Sequence, residues 1–413
     1  MLRGVEAHDY DVATSATPEQ IQLLFPRTIP VGAQFGVVLV REEGHQFEVA
    51  TFRSDEAYID GRRPSAVHFG SPEEDAQRRD FTINGLFYDP ITEQVIDYVE
   101  GRADIERKLI RTIGEPQHRF SEDKLRMLRC IRFAANLGYE IDPTTLAAVT
   151  AMTSQINIVS AERIRDELIK TFTRPLAGRG LELLEASGLL AQILPEVAAM
   201  KGVEQPPEFH PEGDVFIHTR MMLNALPPNA SVVLAFSVLL HDVGKPPTFE
   251  RAVDRIRFNE HDRVGVELSR GILQRLRFPN EEIEKILVCV GEHMRFQYVQ
   301  QMRPAKLKRI LARDTFPDEL ELHRIDCLAS HGNLENYEFL KAKALELPPE
   351  AIKPKPLLTG NDLLALGATP GPMVGKILRE VEELQLEERL KLREEALEHA
   401  RQRLAELSRG GTT

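Results

Sequence analysis

The sequence predicts an α+β protein: a small mixed β-sheet at the N-terminus followed by a predominantly α-helical body. Three observations carry this. Runs that alternate or are β-branched, such as Phe35 to Val40 and Gln46 to Thr51, lie in the first part of the chain. The stretch Ser121 to Leu137, SEDKLRMLRCIRFAANL, repeats its apolar residues at a period near 3.6. From about Asp142 onward the pattern is helical, with Leu146, Ile156, Ile164, Leu168 and Leu183 as core positions.

The bulk properties set limits. A chain of 413 residues is too long for one compact core and suggests about two to four domains. Hydrophobic content of 42% with 28% charged residues describes a soluble globular protein. No apolar run approaches a membrane span and the first residues are unlike a signal peptide, so no membrane partner is expected and the cytoplasm is the default location. Cys130, Cys289 and Cys327 sit singly in apolar runs and are expected as buried thiols. A net charge of −12 argues against a protein that coats nucleic acid indiscriminately, yet a local basic lane can still hold a phosphate backbone.

In chain order, HDYDVA from His8 to Ala13 puts Asp9 and Asp11 at alternate positions of a short β-prone stretch, so both carboxylates leave one face. Such a pair can hold magnesium for nucleotidyl transfer, and a solvated loop pair is the alternative. TPEQIQLLF follows as a helix with Thr17 as cap and Pro18 in its first turn. Arg53 to Phe69 is polar and marked by glycine and proline, and is expected as a long loop. In RRDFTINGL, Arg78 and Arg79 followed by Asp80 can clamp a triphosphate and a ribose hydroxyl; a surface salt-bridge cluster is the alternative.

The helix expected from Ser121 to Leu137 has Ser121 as its N-cap and Glu122 and Asp123 in its first turn. Its apolar side carries Leu125, Met127, Leu128, Ile131, Phe133 and Ala134. Its other side lines up Asp123, Arg126, Arg129 and Arg132, and arginines at that spacing repel unless an anion lies beside them. A phosphate-bearing ligand answers, and so do neighbouring acids.

Asp9-Tyr10-Asp11, DGRRP at Asp60 to Pro64, RRDFTINGL, the run from Gly101 to Gly138 and AERIRDELIK from Ala161 to Lys170 resemble, in order and spacing, the bacterial tRNA nucleotidyltransferase and poly(A) polymerase family. The resemblance covers nearly the whole chain. It implies a nucleotidyltransferase head at 1–115, with Asp9 and Asp11 as catalytic magnesium ligands, and Arg78, Arg79, Asp80 and Asn84 at the incoming nucleotide. It implies a helical neck at 116–204 in which Glu122, Asp123 and Arg126 form an E-D-x-x-R template that reads the base edge of CTP or ATP. Arg129 and Arg132 are then expected along the phosphates, and the partner is the three-prime end of tRNA or another RNA. The family also carries a Gly-Gly turn and a V-R-D segment upstream of the paired aspartates. Met1-Leu2-Arg3-Gly4 enters after that point, so the first strand and helix of the head are expected to be truncated, which implies either a misplaced start, the favoured reading, or a crippled transferase head on a chain that is chiefly a phosphohydrolase. Val31 to Val40 lacks the basic pair before phenylalanine associated with the polymerases, which favours the tRNA enzyme. The loop at Arg53 to Pro64 favours handling of both nucleotides.

Gln205-Pro206-Pro207 is expected as a linker. Beyond it, His218, His241, Asp242, His261, His293 and Asp326 offer imidazole nitrogen and carboxylate, a donor set suited to manganese, iron, nickel, cobalt or magnesium. These residues resemble the HD-domain metal-dependent phosphohydrolases. The resemblance implies His218, His241, Asp242 and Asp326 as core ligands, and His261 and His293 as ligands of a second ion, in a domain at 205–345. A helical tail at 346–413 follows, in which Thr359 caps a short helix, GATPGP turns, and the charged run near the end is an RNA-facing arm or a packing helix.

Overall fold

The computed structural model describes residues 4, 10–32, 36–55, 67–208, 210–211, 213–253 and 255–409. Asp9, Phe35 and the segment Asp60 to Pro64 lie outside them. The head is a four-stranded mixed sheet in the order β1-β4-β3-β2, made of β1 (Asp11–Thr14), β2 (Thr28–Gly32), β3 (Val37–Glu42) and β4 (His45–Thr51). β1 runs parallel to β4 with Asp11 opposite Glu48, and the other pairs are antiparallel. Val38, Val40 and Val49 pack with Ile21 of α1 (Pro18–Leu24). As expected, Thr17 caps α1 and Pro18 opens it; Gln20 completes a reciprocal capping box.

Arg53 to Phe69 is not a loop throughout. Its ends pair as an antiparallel ribbon, β5 (Arg53–Asp55) with β6 (Val67–Phe69), because Gly70 N donates to Phe52 O at 2.9 Å and Arg53 N to the Asp75 carboxylate at 3.3 Å. α2 (Pro72–Gln77) follows, then a hairpin of β7 (Leu86–Asp89) and β8 (Gln94–Asp97), and α3 (Gly101–Arg107). β9 (Leu109–Ile110) and β10 (Glu140–Ile141) pair in parallel around α4 (Pro116–Glu122) and α5 (Leu125–Leu137).

The stretch Ser121 to Leu137 is therefore two helices, and Ser121 lies inside the first rather than capping the second. Asp123 leaves helical backbone (φ −146°, ψ 109°) and its carboxylate accepts the Leu125 N–H at 3.0 Å. An aspartate that takes over a backbone donor in this way ends one helix and starts the next. The apolar side of α5 is as expected: Leu125, Met127, Leu128, Ile131 and Ala134 are buried, and Phe133 packs beside them.

α6 (Pro143–Met152), α7 (Ala161–Phe172), α8 (Ala177–Ala186), α9 (Leu189–Ile193), α10 (Pro195–Ala198), α11 (Val215–Asn224) and α12 (Val232–Leu240) build the body. One apolar core runs from Leu128 and Ile131 through Leu168 and Leu181 to Phe236, Ile286 and Ile325, without a break near residue 205. Each such fully buried side chain contributes about 1.5–3 kcal/mol. Gly178 lets α8 approach α11 closely, since a Cβ there would meet Arg220 O at 2.4 Å. Gln205, expected in a linker, is only 2% exposed.

A hairpin of β11 (Phe249–Arg251) and β12 (Ile256–Phe258) leads to α13 (His261–Arg275) and α14 (Asn280–Glu292). α15 (Pro304–Leu311), α16 (Phe316–Ala329) and α17 (Glu335–Glu346) follow, with Leu340 in a satellite core around Phe296 and Ile310. After α18 (Pro349–Ile352), Thr359 caps α19 (Gly360–Ala365) as expected. The charged C-terminal run is not one helix: the chain turns at Glu388 (φ 62°) between α20 (Pro372–Leu386) and α21 (Arg393–Arg409). α21 is a packing helix, with Ala396, Ala400 and Leu404 buried in one cluster with Ile377 and Val381. All three cysteines are free and buried. Among the described residues no helix is long and apolar enough to cross a membrane.

Candidate active sites

Asp11 opens β1 with its side chain exposed. The continuation of β4 leads to the arginine pair, because Arg53 O accepts from Arg78 Nε at 3.1 Å. Both arginines are gripped by Asp75, a buried carboxylate. Its Oδ1 accepts from Arg78 Nε and Nη2 at 2.9 and 2.7 Å, and its Oδ2 from Arg79 Nε and Nη2 at 3.2 and 3.0 Å. Asp80 turns the other way. Its Oδ1 accepts from Phe81 N and Asn84 Nδ2, both at 2.9 Å, and its Oδ2 from Arg129 Nε at 2.7 Å. Burial alone would raise the Asp80 carboxyl, but the Arg129 guanidinium and the Asn84 amide hold it below the usual carboxylate range.

The three arginines of α5 are each met by a protein carboxylate. Arg126 pairs with Glu122, Arg129 with Asp80, and Arg132 with Glu167 at 2.6 Å while its guanidinium lies 4.0 Å over the Phe133 ring. Neighbouring acids thus relieve the repulsion along this face. Arg129 and Arg132, expected along phosphates, are tied to the protein because Asp80 and Glu167 project into the same face.

The two motifs, separated by more than forty residues, meet directly. Arg119 donates to Arg78 O at 3.3 Å, to Gln77 O at 2.7 Å and to Glu122 Oε2 at 3.0 Å. Arg126 Nη2 reaches the same Arg78 carbonyl at 3.4 Å. Asp123 is held from α7 by Arg163, whose two Nη atoms lie 3.2 and 2.6 Å from its two oxygens. A cavity of about 430 Å³ opens here, lined by Ser54, Glu74, Gln77, Arg78, Arg119 and Glu122 among others. Asp75 had no motif to mark it, and Arg119 and Glu167, though inside family-like runs, had no role from the sequence. Arg163 lay within AERIRDELIK, but its partner 40 residues upstream could not be read from spacing.

The second constellation assembles at the end of α12. His218, His241 and Asp326 bring donor atoms within 4.8 Å of one another, and so do Asp242, His261 and His293. His241, His261 and His293 each donate from Nδ1 to a backbone carbonyl three residues back, at 2.9, 2.9 and 2.6 Å. A carbonyl only accepts, so these rings carry their proton on Nδ1 and turn an Nε2 lone pair inward. His261 Nε2 and His293 Nε2 then face each other at 3.2 Å. Burial, reinforced by His241 and His261, pushes His293 down to about 4, so a proton does not readily fill that gap. His241 Nε2 is buried with no hydrogen-bond partner among the described residues, 3.1 Å from Asp242 Oδ2. Asp242 is buried and Asp326 half-buried. Burial would raise both, but the Lys245 ammonium holds Asp242, and the hydrogen bond from His218 holds Asp326, well below the carboxylate range. Converging imidazole lone pairs and anionic oxygens fit divalent cations.

Lys245, Gln205 and His210 also border this constellation. The Lys245 ammonium lies 2.8 Å from Asp242 Oδ2, and the His210 ring packs edge-on to His218 with centroids 4.8 Å apart. Lys245 follows the His241-Asp242 pair by three residues and had no role from the sequence. Gln205 is expected from the sequence only as part of a linker, and His210 carried no signal.

A small mixed sheet feeding a helical body, with an arginine pair and an acid–arginine cluster at their junction, defines a nucleotidyltransferase fold. Residues 1–111 match the poly A polymerase head domain, 138–201 the probable RNA and SrmB-binding site of polymerase A, and 264–400 the putative second domain of tRNA nucleotidyltransferase. The A-adding tRNA nucleotidyltransferase of Deinococcus radiodurans is 36% identical over 334 residues, which are 75% of this chain and 74% of that protein. The CCA-adding enzyme of Streptococcus gordonii is 43% identical over 191 residues, 46% of this chain and 47% of that enzyme, so the chain spans about half the length of such relatives. The crystal structure of the Bacillus stearothermophilus CCA-adding enzyme in complex with CTP superposes with a TM-score of 0.72 at 25% identity, covering 99% of this chain and 92% of that one. The Thermotoga maritima CCA-adding enzyme complexed with tRNA shares the fold, with a TM-score of 0.57 at 18% identity over 98% and 88% of the two chains. The chain belongs to the tRNA nucleotidyltransferase and poly(A) polymerase family.

Proposed function

We propose that the protein adds nucleotides without a nucleic-acid template to the three-prime end of tRNA, transferring CMP and AMP, or AMP alone, from CTP and ATP. The observation that carries this reading is the junction of the two motifs, where Arg119 and Arg126 both donate to the Arg78 carbonyl beside Glu122. The RNA hydroxyl attacks the α-phosphorus of the nucleotide, the bond to the β-phosphate oxygen breaks, and pyrophosphate leaves. Asp9 and Asp11 are the proposed magnesium ligands; the exposed Asp11 carboxylate offers the hard oxygen donors that ion prefers. Magnesium there would stabilise the attacking and leaving oxygens. Arg78 and Arg79, oriented by Asp75, hold the triphosphate. Asp123 accepts from an exocyclic base amine and Arg126 donates to ring acceptors, so cytosine and adenine satisfy groups that other bases leave unpaired.

The long match to an A-adding relative and the shorter matches to CCA-adding enzymes support tRNA as acceptor and leave A and CCA addition side by side. Purified protein is incubated with tRNA ending before CC, before A or complete, and with labelled CTP or ATP. Label in the truncated tRNAs alone is the expected result. Addition of A to any RNA would instead mark a poly(A) polymerase.

A second reading, metal-dependent phosphohydrolysis at the histidine constellation, is favoured by the facing Nε2 atoms of His261 and His293. His218, His241, Asp242 and Asp326 would hold one ion, with His261 and His293 completing a second. Divalent ions there would supply Lewis acidity and a nucleophilic water at neutral pH. Release of phosphate from RNA ends under manganese or nickel, abolished by changing His241 and Asp242 together while nucleotide addition persists, is the expected result. Persistence of hydrolysis in that variant would remove this reading.

A further inference from the structure

Lys245 and Gln205 form a buried pair with a directed, unused donor. Lys245 is 6% exposed and Gln205 2% exposed, and Lys245 Nζ donates to Gln205 Oε1 at 2.6 Å. An ammonium has no acceptor capacity, so this contact fixes the orientation of the glutamine amide: oxygen toward Lys245, nitrogen away. Gln205 Nε2 is then buried with no partner among the described residues. A buried amide nitrogen left unbonded forfeits the hydrogen bond it makes in water, a cost that a bound acceptor removes. The pair stands beside the constellation, because Lys245 Nζ is also 2.8 Å from Asp242 Oδ2. It is braced from outside the site as well: Gln205 N donates to Gly213 O at 3.0 Å, and the ammonium lies 5.4 Å over the Phe258 ring.

We propose that Gln205 Nε2 and Lys245 Nζ are the donors that bind a non-bridging phosphoryl oxygen of a phosphomonoester at this constellation. The proposal rests on the metal-centre reading and extends it to the substrate's phosphate. An ammonium and an amide N–H supply donors and no acceptor, which suits an oxyanion and disfavours a cation or a neutral donor. Lys245 offsets the charge of Asp242 when no anion is present, and shares its remaining N–H bonds with the phosphoryl oxygen when one arrives. Gln205 carries no charge. Its role is directional.

The test uses the full chain loaded with manganese, and inorganic phosphate and a mononucleotide three-prime phosphate as probes. Gln205→Glu keeps an acceptor for Lys245 but replaces the free donor with an oxygen. Manganese content and melting temperature are expected to stay at wild-type values, while the dissociation constants for both probes rise at least about tenfold. Lys245→Met should weaken the same two probes. Gln205→Asn, which restores an amide, should bind them more tightly than Gln205→Glu. Equal affinity for phosphate in wild type and Gln205→Glu, with manganese bound in both, overturns this proposal alone. Failure of the wild-type chain to take up manganese removes the metal-centre reading and the proposal with it.

Discussion

Arg163 grips Asp123 with both Nη atoms, at 3.2 and 2.6 Å, and so ties α7 to the break between α4 and α5. Without that grip the Asp123 carboxylate has, among the described residues, only the Leu125 N–H as a hydrogen-bond donor. Replacing Arg163 by Ala should lower kcat/KM for the correct nucleotide about ten- to hundredfold, or about 1.4–2.8 kcal/mol, and relax the choice of base. Arg163→Lys, which keeps charge but loses the fork, should fall between the two. Steady-state kinetics with CTP, ATP, GTP and UTP decide it; unchanged discrimination in Arg163→Ala would separate Asp123 from base reading.

Asp75 is the shared anchor of Arg78 and Arg79. In Asp75→Asn the charge that aligns both guanidinium groups is gone, while the shape is nearly kept. KM for the nucleotide should rise about tenfold with a smaller change in kcat, because binding rather than chemistry loses its alignment. A kcat that falls with KM unchanged would contradict this assignment.

Acid should loosen the junction of head and neck through Asp80. Its folded-state pKa lies below the ordinary 3.8, so the unfolded chain takes the proton first as pH falls. The stabilisation is fully present above the ordinary value and is lost as pH drops through the folded one. Denaturant midpoints measured between about pH 5 and pH 2.5 should fall less steeply in Asp80→Asn than in wild type. That variant should also be less stable at neutral pH by about 3 kcal/mol, since Arg129 keeps its charge and loses its partner. Parallel pH profiles for the two proteins would show that Asp80 is not the titrating group.

Manganese should raise the melting temperature, and a ligand at a hundredfold its dissociation constant adds about 2.7 kcal/mol. His293→Ala removes one inward Nε2 and should reduce bound manganese from about two ions per chain to about one. Metal content after gel filtration reads this directly. Full retention of metal in that variant would show that His293 is not a ligand.

Much of this architecture was legible in the sequence. The capping of α1 by Thr17, the apolar side of α5 and the buried thiols follow from local pattern and composition. What local pattern could not give is pairing across distance. The arginines of α5 read as a phosphate lane because Glu167, 35 residues from Arg132, was invisible as its partner. The break at Asp123 was missed for a related reason: an acidic residue suits the first turn of one continuous helix as well as it suits a junction, and tertiary contact with Arg163 selects the junction. The same limit hid Gln205, whose neighbours Pro206 and Pro207 mimic a linker while its side chain is buried against Lys245. The six residues of the histidine–aspartate constellation could be picked out because histidine and aspartate carry their chemistry in their identity, and the structure brings their donor atoms together in two groups of three.

Base selection by wild type and by Asp123→Ala with Arg126→Ala tests the central claim most directly. Each protein is given tRNA lacking its terminal A, or lacking CCA, with each of the four nucleoside triphosphates at equal concentration. The wild type should incorporate only C or A. The double variant should lose that preference, with GTP and UTP incorporated at rates within about tenfold of the correct nucleotide. Retention of wild-type selectivity by the double variant would contradict the claim that these two side chains read the base.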